Sequence, residues 1–380
     1  MRVYLDNAAT TPIQEQVIET MSETMRQAYG NPSSIHAEGR TARSIIEEAR
    51  KKVANYLGAS IGEIFFTSGG TESNNMALKC AVRDLGVKRF ITTDMEHHCV
   101  LHTLESLQQT HGIEVVFLSL DGKGRISLEE LESLLQQSTE KTLVSLMHSN
   151  NEIGTMIDLD AVAALCHQYQ AYFHSDTVQT IGYFPFDLSK QKISFLSGAS
   201  HKFHGPKGVG FIYINNDNQI KPYIDGGSQE RNMRGGTENI YGIVGLAKAL
   251  EIACENMGPY REKMEALRSY MKEQLLQHFE DIQFNGDYDG RYHHKVLSVS
   301  FPASPKSDLL LLNLDIAGIS ASGGSACSSG AEQGSHVLEA LRLDPDRKTI
   351  RFSFSPYNKR EEIDYVIEKM KSMIPQKVVG

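Results

Sequence analysis

Seven short β-branched or aromatic runs recur through the first 214 residues with helical stretches between them, and this alternation constrains the fold more than any other feature. The runs fall at 63–67, 89–93, 115–120, 143–148, 171–175, 193–196 and 209–214. Between several of them apolar residues step by three and four, as at Ile46, Ala49, Val53 and Leu57. Gly58 stands where a left-handed cap would close that helix. Strands alternating with helices predict an α/β fold whose mostly parallel seven-stranded sheet is covered on both faces. A long helix begins near 243–254. Beyond it come a helix at 262–279, a strand at 296–301, a loop around Cys327, and a final strand and helix at 349–354 and 361–373. The expected organisation is a large domain over 13–255 and a smaller α/β domain built from 1–12 and 256–380.

At 380 residues the chain exceeds one ordinary core and suits two domains. A net charge of -9 leaves no broad cationic field for nucleic acid or an anionic membrane, so neither is an expected partner. No apolar run approaches the roughly 18 to 20 residues that span a bilayer. The chain begins at once with strand-like Val3-Tyr4-Leu5 and no charged-then-apolar leader, which predicts a cytoplasmic protein. The odd set Cys80, Cys99, Cys166, Cys254 and Cys327 has no paired spacing and does not read as a disulfide framework. Four of the five sit in apolar contexts where a buried, inert thiol is the default. Cys327 does not.

Three segments carry chemistry at strand ends. Phe66-Thr67-Ser68-Gly69-Gly70-Thr71 runs from a strand into a small-residue loop and then a helix. Backbone N–H groups at a helix N-terminus suit a phosphate, while a tight turn capped by Thr71 is the plainer reading of this segment alone. In Tyr172-Phe173-His174-Ser175-Asp176 an acid appears where an apolar strand runs out, the side of an open α/β sheet on which ligands gather. Such a carboxylate either pairs with a cofactor's protonated ring nitrogen or caps a helix. In Ser197-Gly198-Ala199-Ser200-His201-Lys202 a lysine follows an apolar strand, where desolvation favours the free amine that forms a Schiff base. Lys207 fits a surface lysine better. Phosphate loop, acid and lysine, each at a strand end, together point to a pyridoxal-phosphate site.

Two further elements stand out. In Glu96-His97-His98-Cys99, His98 shares a helix face with His102, yet no third and fourth ligand of suitable spacing follows, so no metal is expected. An imidazole at a strand end suits stacking on an aromatic cofactor or moving protons. Ser322-Gly323-Gly324-Ser325-Ala326-Cys327-Ser328-Ser329-Gly330 places a thiol in a small, polar stretch, a composition that predicts an exposed loop and an available thiolate.

With these segments in view, the chain resembles the cysteine desulfurase family of the NifS/IscS type, fold-type-I pyridoxal-phosphate enzymes within the class-V aminotransferase family. The resemblance runs from Tyr4-Leu5-Asp6-Asn7-Ala8-Ala9-Thr10-Thr11-Pro12 and Gly30-Asn31-Pro32-Ser33-Ser34 through Asn150-Asn151-Glu152-Ile153-Gly154. It continues through His201-Lys202, Gly236-Thr237-Glu238-Asn239 and Gly324-Ser325-Ala326-Cys327 to Ile350-Arg351-Phe352-Ser353. It implies the cofactor pyridoxal 5'-phosphate, bound covalently by Lys202, with His97 stacked on the ring and helping to move protons. It implies that Asp176 pairs with the ring nitrogen and Gln179 with the phenolic oxygen. Gly70, Thr71, Ser200 and His201 would hold the phosphate, joined by Thr237 from the second subunit of a homodimer. Asn151, also a cofactor neighbour, and Arg351 would clamp the substrate carboxylate.

The implied reaction converts L-cysteine to L-alanine and leaves the sulfur as a persulfide on Cys327. An acceptor such as an iron–sulfur scaffold then takes it, with transient contact between Cys327 and the scaffold's cluster. The stretch after Cys327 resembles the long-looped, scaffold-serving type. Two positions depart from the family. Ala199 stands where a serine is usual, and Ser353-Phe354-Ser355-Pro356 lacks a second arginine after Arg351. Two other readings remain open at this point: a selenocysteine lyase or other class-V enzyme, and a non-enzymatic sulfur carrier or scaffold subunit.

Overall fold

The computed structural model describes residues 1–304, 307, 309–323 and 335–377, so Cys327 lies outside the described residues. The strands in chain order are β1 (Val3–Tyr4), β2 (Ile64–Thr67), β3 (Arg89–Thr92), β4 (Glu114–Phe117), β5 (Thr142–Ser145), β6 (Tyr172–Asp176), β7 (Phe195–Ala199), β8 (Gly210–Ile214), β9 (Gln283–Asn285), β10 (Val296–Phe301), β11 (Ile319–Ser320) and β12 (Lys348–Ser353). Seven of them form one sheet in the order β2-β8-β7-β6-β5-β3-β4. Only β8 runs antiparallel to its neighbours. This is the mostly parallel sheet the alternation predicts, and its strands are near-continuous apolar runs because both faces are covered. Phe66, Phe173, Leu196, Phe211 and Tyr213 are buried in one core cluster, and Phe65, Phe90, Leu143, Phe195 and Ile212 in another.

The apolar steps through Ile46 and Leu57 belong to a helix at Ala37–Leu57, closed by Gly58 at φ 63°, a conformation that favours glycine. The segment 143–148 leaves the strand at Ser145 but stays extended, since Leu146 N donates to His174 O and His148 N to Asp176 O. The helix expected from residue 262 begins at Met257, because Pro259 falls in its first turn, where a missing N–H is no loss. The helix Ile240–Glu255 precedes it directly, with Asn256 between. Among the described residues no helix is long and apolar enough to cross a membrane.

A second, three-stranded antiparallel sheet has the order β12-β10-β9, and β1 pairs in parallel with β11. The N-terminal segment is stitched to β12: Ser353 N donates to Leu5 O, and Asn7 Nδ2 donates to Ser353 O at 2.9 Å. That stitching carries Ala8 and Ala9 from β1 toward the carboxyl ends of the large sheet.

Candidate active site

A cavity of about 380 Å³ opens where β2, β6 and β7 run out, the edge of an α/β sheet at which ligands collect. His97, Asp176, Gln179, His201, Lys202, Asn151 and Arg351 all line it, as do Gly70 and Thr71. Residues from six separate stretches of sequence therefore meet in one place.

Lys202 ends a one-turn 3₁₀ segment, Ser200–Lys202, that follows β7 directly. Its Nζ donates to Ala8 O at 2.7 Å and to Ala9 O at 2.9 Å. The turn is held on both sides. Thr11 N donates to His201 O, His204 N donates to Thr11 Oγ1, and Tyr183 donates its hydroxyl proton to Lys202 O at 2.8 Å. Burial pushes the His201 imidazole down to about 3, so it is neutral at ordinary pH, and Nδ1 lies 3.1 Å from Thr10 Oγ1.

Asp176 is the last residue of β6 and is buried, with each carboxylate oxygen held by a donor. Oδ2 accepts from Asn74 Nδ2 at 2.7 Å, and Oδ1 from Val178 N at 3.0 Å. His97 is the N-cap of the helix His98–His111, and its Nδ1 accepts from Cys99 N at 3.2 Å. A proton on a neutral His97 therefore sits on Nε2. Burial is the main cause holding this imidazole below its ordinary range, with Asp176 pulling the other way. Cys99, expected to be an inert core thiol, instead lines the cavity with Sγ 3.0 Å from His97 Nδ1. Burial pushes its thiol up to about 12.

Gly69 occupies the N-cap of the helix Gly70–Leu85, with φ 154° and no side-chain cap. The Thr71 cap is thus not formed: Thr71 lies inside the first turn and is exposed. With no capping side chain, the first turn's N–H groups are open to an anion. A Cβ on Gly70 would lie 2.6 Å from Val178 Cγ2, so only glycine fits this approach. Ser200 is fully buried behind the wall, its Oγ without a hydrogen-bond partner, and does not line the cavity. Gln179 Nε2 is engaged by Ala8 O, leaving Oε1 buried and unpartnered. Thr237 is exposed and lines a separate hollow with Ser68 and Gly208.

On the opposite wall, Arg351 is buried. Nη2 forms a 2.7 Å ion pair with Asp6 Oδ1, and Nη1 donates to Asn151 O at 2.8 Å. Ser322 exchanges backbone hydrogen bonds with Arg351 and donates its hydroxyl to Asp6. Ser335 donates to Glu152 Oε2, and His336 Nε2 lies 3.0 Å from Glu96 O while its ring packs 4.3 Å from that of His98. Ser322 and Ser335, which flank the stretch bearing Cys327 in sequence, are thus both tied to this wall. Cys327 follows Ser322 by five residues, within about 17 Å at full extension.

An amine, a buried carboxylate, a neutral imidazole and an uncapped helix N-terminus with a glycine approach are the donor set for a phosphorylated aromatic aldehyde. Pyridoxal phosphate fits it; Lys202, Asp176, His97 and the Gly69–Gly70 turn are the groups that would hold it. The sequence signals found these residues. They did not single out Asn74, His336 or Arg351's partner Asp6, whose only trace is a polar side chain at an otherwise apolar or strand-edge position.

The family model described as Aminotransferase class-V matches residues 3–366. The chain is 41% identical over 386 residues to the cysteine desulfurase IscS of Dictyoglomus turgidum, covering 99% of this chain and 97% of that protein. It is 42% identical over 377 residues to the cysteine desulfurase IscS of Methanosarcina thermophila, covering 98% and 92%. Among solved structures, a NifS-like protein superposes with a TM-score of 0.89 at 40% identity over 98% of each chain. A structure described as SspA in complex with cysteine gives 0.83 at 30% identity, covering 94% of this chain and all of that one.

Proposed function

The chain belongs to the class-V aminotransferase family, and on that premise we propose that it is a pyridoxal-phosphate-dependent cysteine desulfurase. It converts L-cysteine to L-alanine and passes the sulfur on as a persulfide. The observation that carries this reading is the convergence of Lys202, Asp176 and His97 on one cavity whose far wall anchors both ends of the segment bearing Cys327.

Bound in this cavity, pyridoxal phosphate supplies the electron sink that labilises bonds around the substrate's Cα. Lys202 would hold the cofactor, and its amine would be placed to move the substrate's Cα proton. Asp176 would keep the ring nitrogen protonated, and His97, with its proton on Nε2, would flank the cofactor. The Gly69–Gly70 turn, with His201, binds the phosphate. Arg351, its guanidinium held by Asp6, and Asn151 receive the substrate carboxylate. The Cys327 thiolate takes the substrate's sulfur. The new S–S bond forms as the C–S bond breaks, the carbon keeps that electron pair and takes a proton, and alanine leaves.

Thr237 is exposed and off the cavity wall, which supports its use by a second copy of the chain in a homodimer. The sulfur acceptor fitting this reading is a thiol- or cluster-bearing scaffold protein. Alanine release from L-cysteine tests the activity. The loaded protein is expected to yield alanine, Lys202→Ala to lose both the visible absorbance of the bound cofactor and turnover, and Cys327→Ala to keep the absorbance but lose sulfur transfer. A Cys327→Ala variant with full sulfur transfer contradicts the reading. A sulfur carrier without activity would show no dependence on Lys202.

A further inference from the structure

We infer that Asn74 is a positioning residue which, locked by His174, aims the Asp176 carboxylate at the ring nitrogen of the bound cofactor; this rests on the function proposed above.

Strand alternation places His174 and Asp176 on the same face of β6, two residues apart. The helix Gly70–Leu85 carries Asn74 to that face, and both Asn74 and His174 are completely buried. Asn74 Nδ2 donates to Asp176 Oδ2 at 2.7 Å, while Asn74 Oδ1 lies 3.0 Å from His174 Nε2. His174 Nδ1 lies 2.8 Å from Ser145 Oγ.

These contacts admit one arrangement of protons. A carboxylate only accepts, so the amide must turn its NH₂ to Asp176 and its oxygen to His174. That oxygen only accepts, so His174 must carry its proton on Nε2. Burial pushes the imidazole down to about 4, leaving Nδ1 free to accept from the Ser145 hydroxyl. Three donors thus point the same way along the row, each polarised by the one before it, and end on Asp176. The row carries no net charge. A cation in place of Asn74 would hold the carboxylate equally well but would compete with the ring nitrogen for it.

The same amide reaches the other face of the site. Its second donor contact is with Cys99 Sγ at 3.2 Å, and that sulfur lies 3.0 Å from His97 Nδ1. Without His174 the Asn74 carbonyl loses its donor, and the amide is held only from its NH₂ end, by Asp176 and Cys99.

The test is titration of the apoprotein with pyridoxal phosphate, followed by visible absorbance, alongside the apoprotein's melting temperature. His174→Phe fills the space without the donor and is expected to bind the cofactor about tenfold more weakly, with a displaced absorption band. Its kcat for L-cysteine should fall with KM near that of the parent. His174→Gln, which restores an N–H donor, should recover most of the affinity and the band. Cofactor affinity and band unchanged in His174→Phe overturn the inference, whatever happens to its melting temperature. If that variant does not fold, Ser145→Ala removes only the far donor. A smaller loss of affinity in the same direction supports the inference, and an unchanged affinity overturns it. A parent protein that takes up no pyridoxal phosphate is a different result, and it overturns the proposed function itself.

Discussion

Asp6 and Arg351, 345 residues apart in the chain, form a 2.7 Å ion pair on the wall of the cavity. The pair holds the guanidinium in place, since Arg351 Nε has no hydrogen-bond partner and Nη1 is committed to Asn151 O. A substrate carboxylate meets an arginine already oriented. Two charge-assisted hydrogen bonds to that carboxylate are together worth about 3 to 4 kcal/mol, so Arg351→Ala is expected to raise KM for L-cysteine by about 100-fold or more. Asp6→Asn keeps the arginine but loosens its aim, and should raise KM by less. Steady-state alanine release measures both. A KM unchanged in Arg351→Ala would place the carboxylate elsewhere.

Gly70 tests the phosphate cradle. A methyl group there would meet Val178 Cγ2 at 2.6 Å, on the first turn that faces the cavity. Gly70→Ala is expected to cost about 1 to 3 kcal/mol of stability through overpacking and to weaken cofactor binding in the same titration. Wild-type affinity in this variant would show that the helix N-terminus does not hold the phosphate.

Buried imidazoles set the acid side of stability. Burial pushes His148, His174 and His204 each down to about 4, against an ordinary value of 6.5. Between those limits the unfolded chain binds more protons than the folded one, so stability rises with pH and falls on acidification through 6.5 toward 4. Each group contributes a slope of up to about 1.4 kcal/mol per pH unit. Glu96 and Glu152, whose carboxyls burial raises, act in the opposite direction as pH climbs past the carboxylate range. Three imidazoles outweigh two carboxyls, so the apoprotein's urea midpoint is expected to drop from pH 7 to pH 5. A midpoint that rises over this interval contradicts the burial of these histidines.

Arg50 and Glu230 test what holds the segment leading to Thr237. Both side chains are 2% exposed and joined by two bonds, 2.6 and 3.0 Å long. Glu230, Arg231 and Asn232 have φ of 44°, 56° and 64°, a run that ordinary residues rarely adopt and that needs such an anchor. Arg50→Met leaves Glu230 buried without its partner and should cost about 3 to 5 kcal/mol in urea unfolding. Adding Glu230→Gln should recover part of that loss. Additive losses would mean the two side chains do not act as a pair.

What the sequence makes legible is whatever local pattern dictates. The strand runs, the Gly58 cap and the placement of Lys202 and Asp176 at strand ends follow from periodicity and turn chemistry, and the structure has them. The resemblance adds His97, Gln179, Asn151 and Arg351, which line the same cavity. Asn74 was not legible, since a polar residue on a helix reads as solvated until its face is known to pack on β6. Cys99 reads as a core thiol for the same reason. Asp6 finds Arg351 only because β1 pairs with β11 and the N-terminal segment is stitched to β12, contacts that no local pattern encodes. His174 did leave a trace, as a histidine two residues before an acid in an apolar strand.

The central claim is that Cys327 receives the substrate's sulfur, and the most direct measurement is the mass of the Cys327 peptide after one turnover. The loaded protein is mixed with L-cysteine, alkylated and digested. The account predicts one added sulfur atom on Cys327, absent in Lys202→Ala and absent when L-alanine replaces L-cysteine. Added sulfur on Cys99 instead, or alanine formed with Cys327 unmodified at every time point, would contradict it.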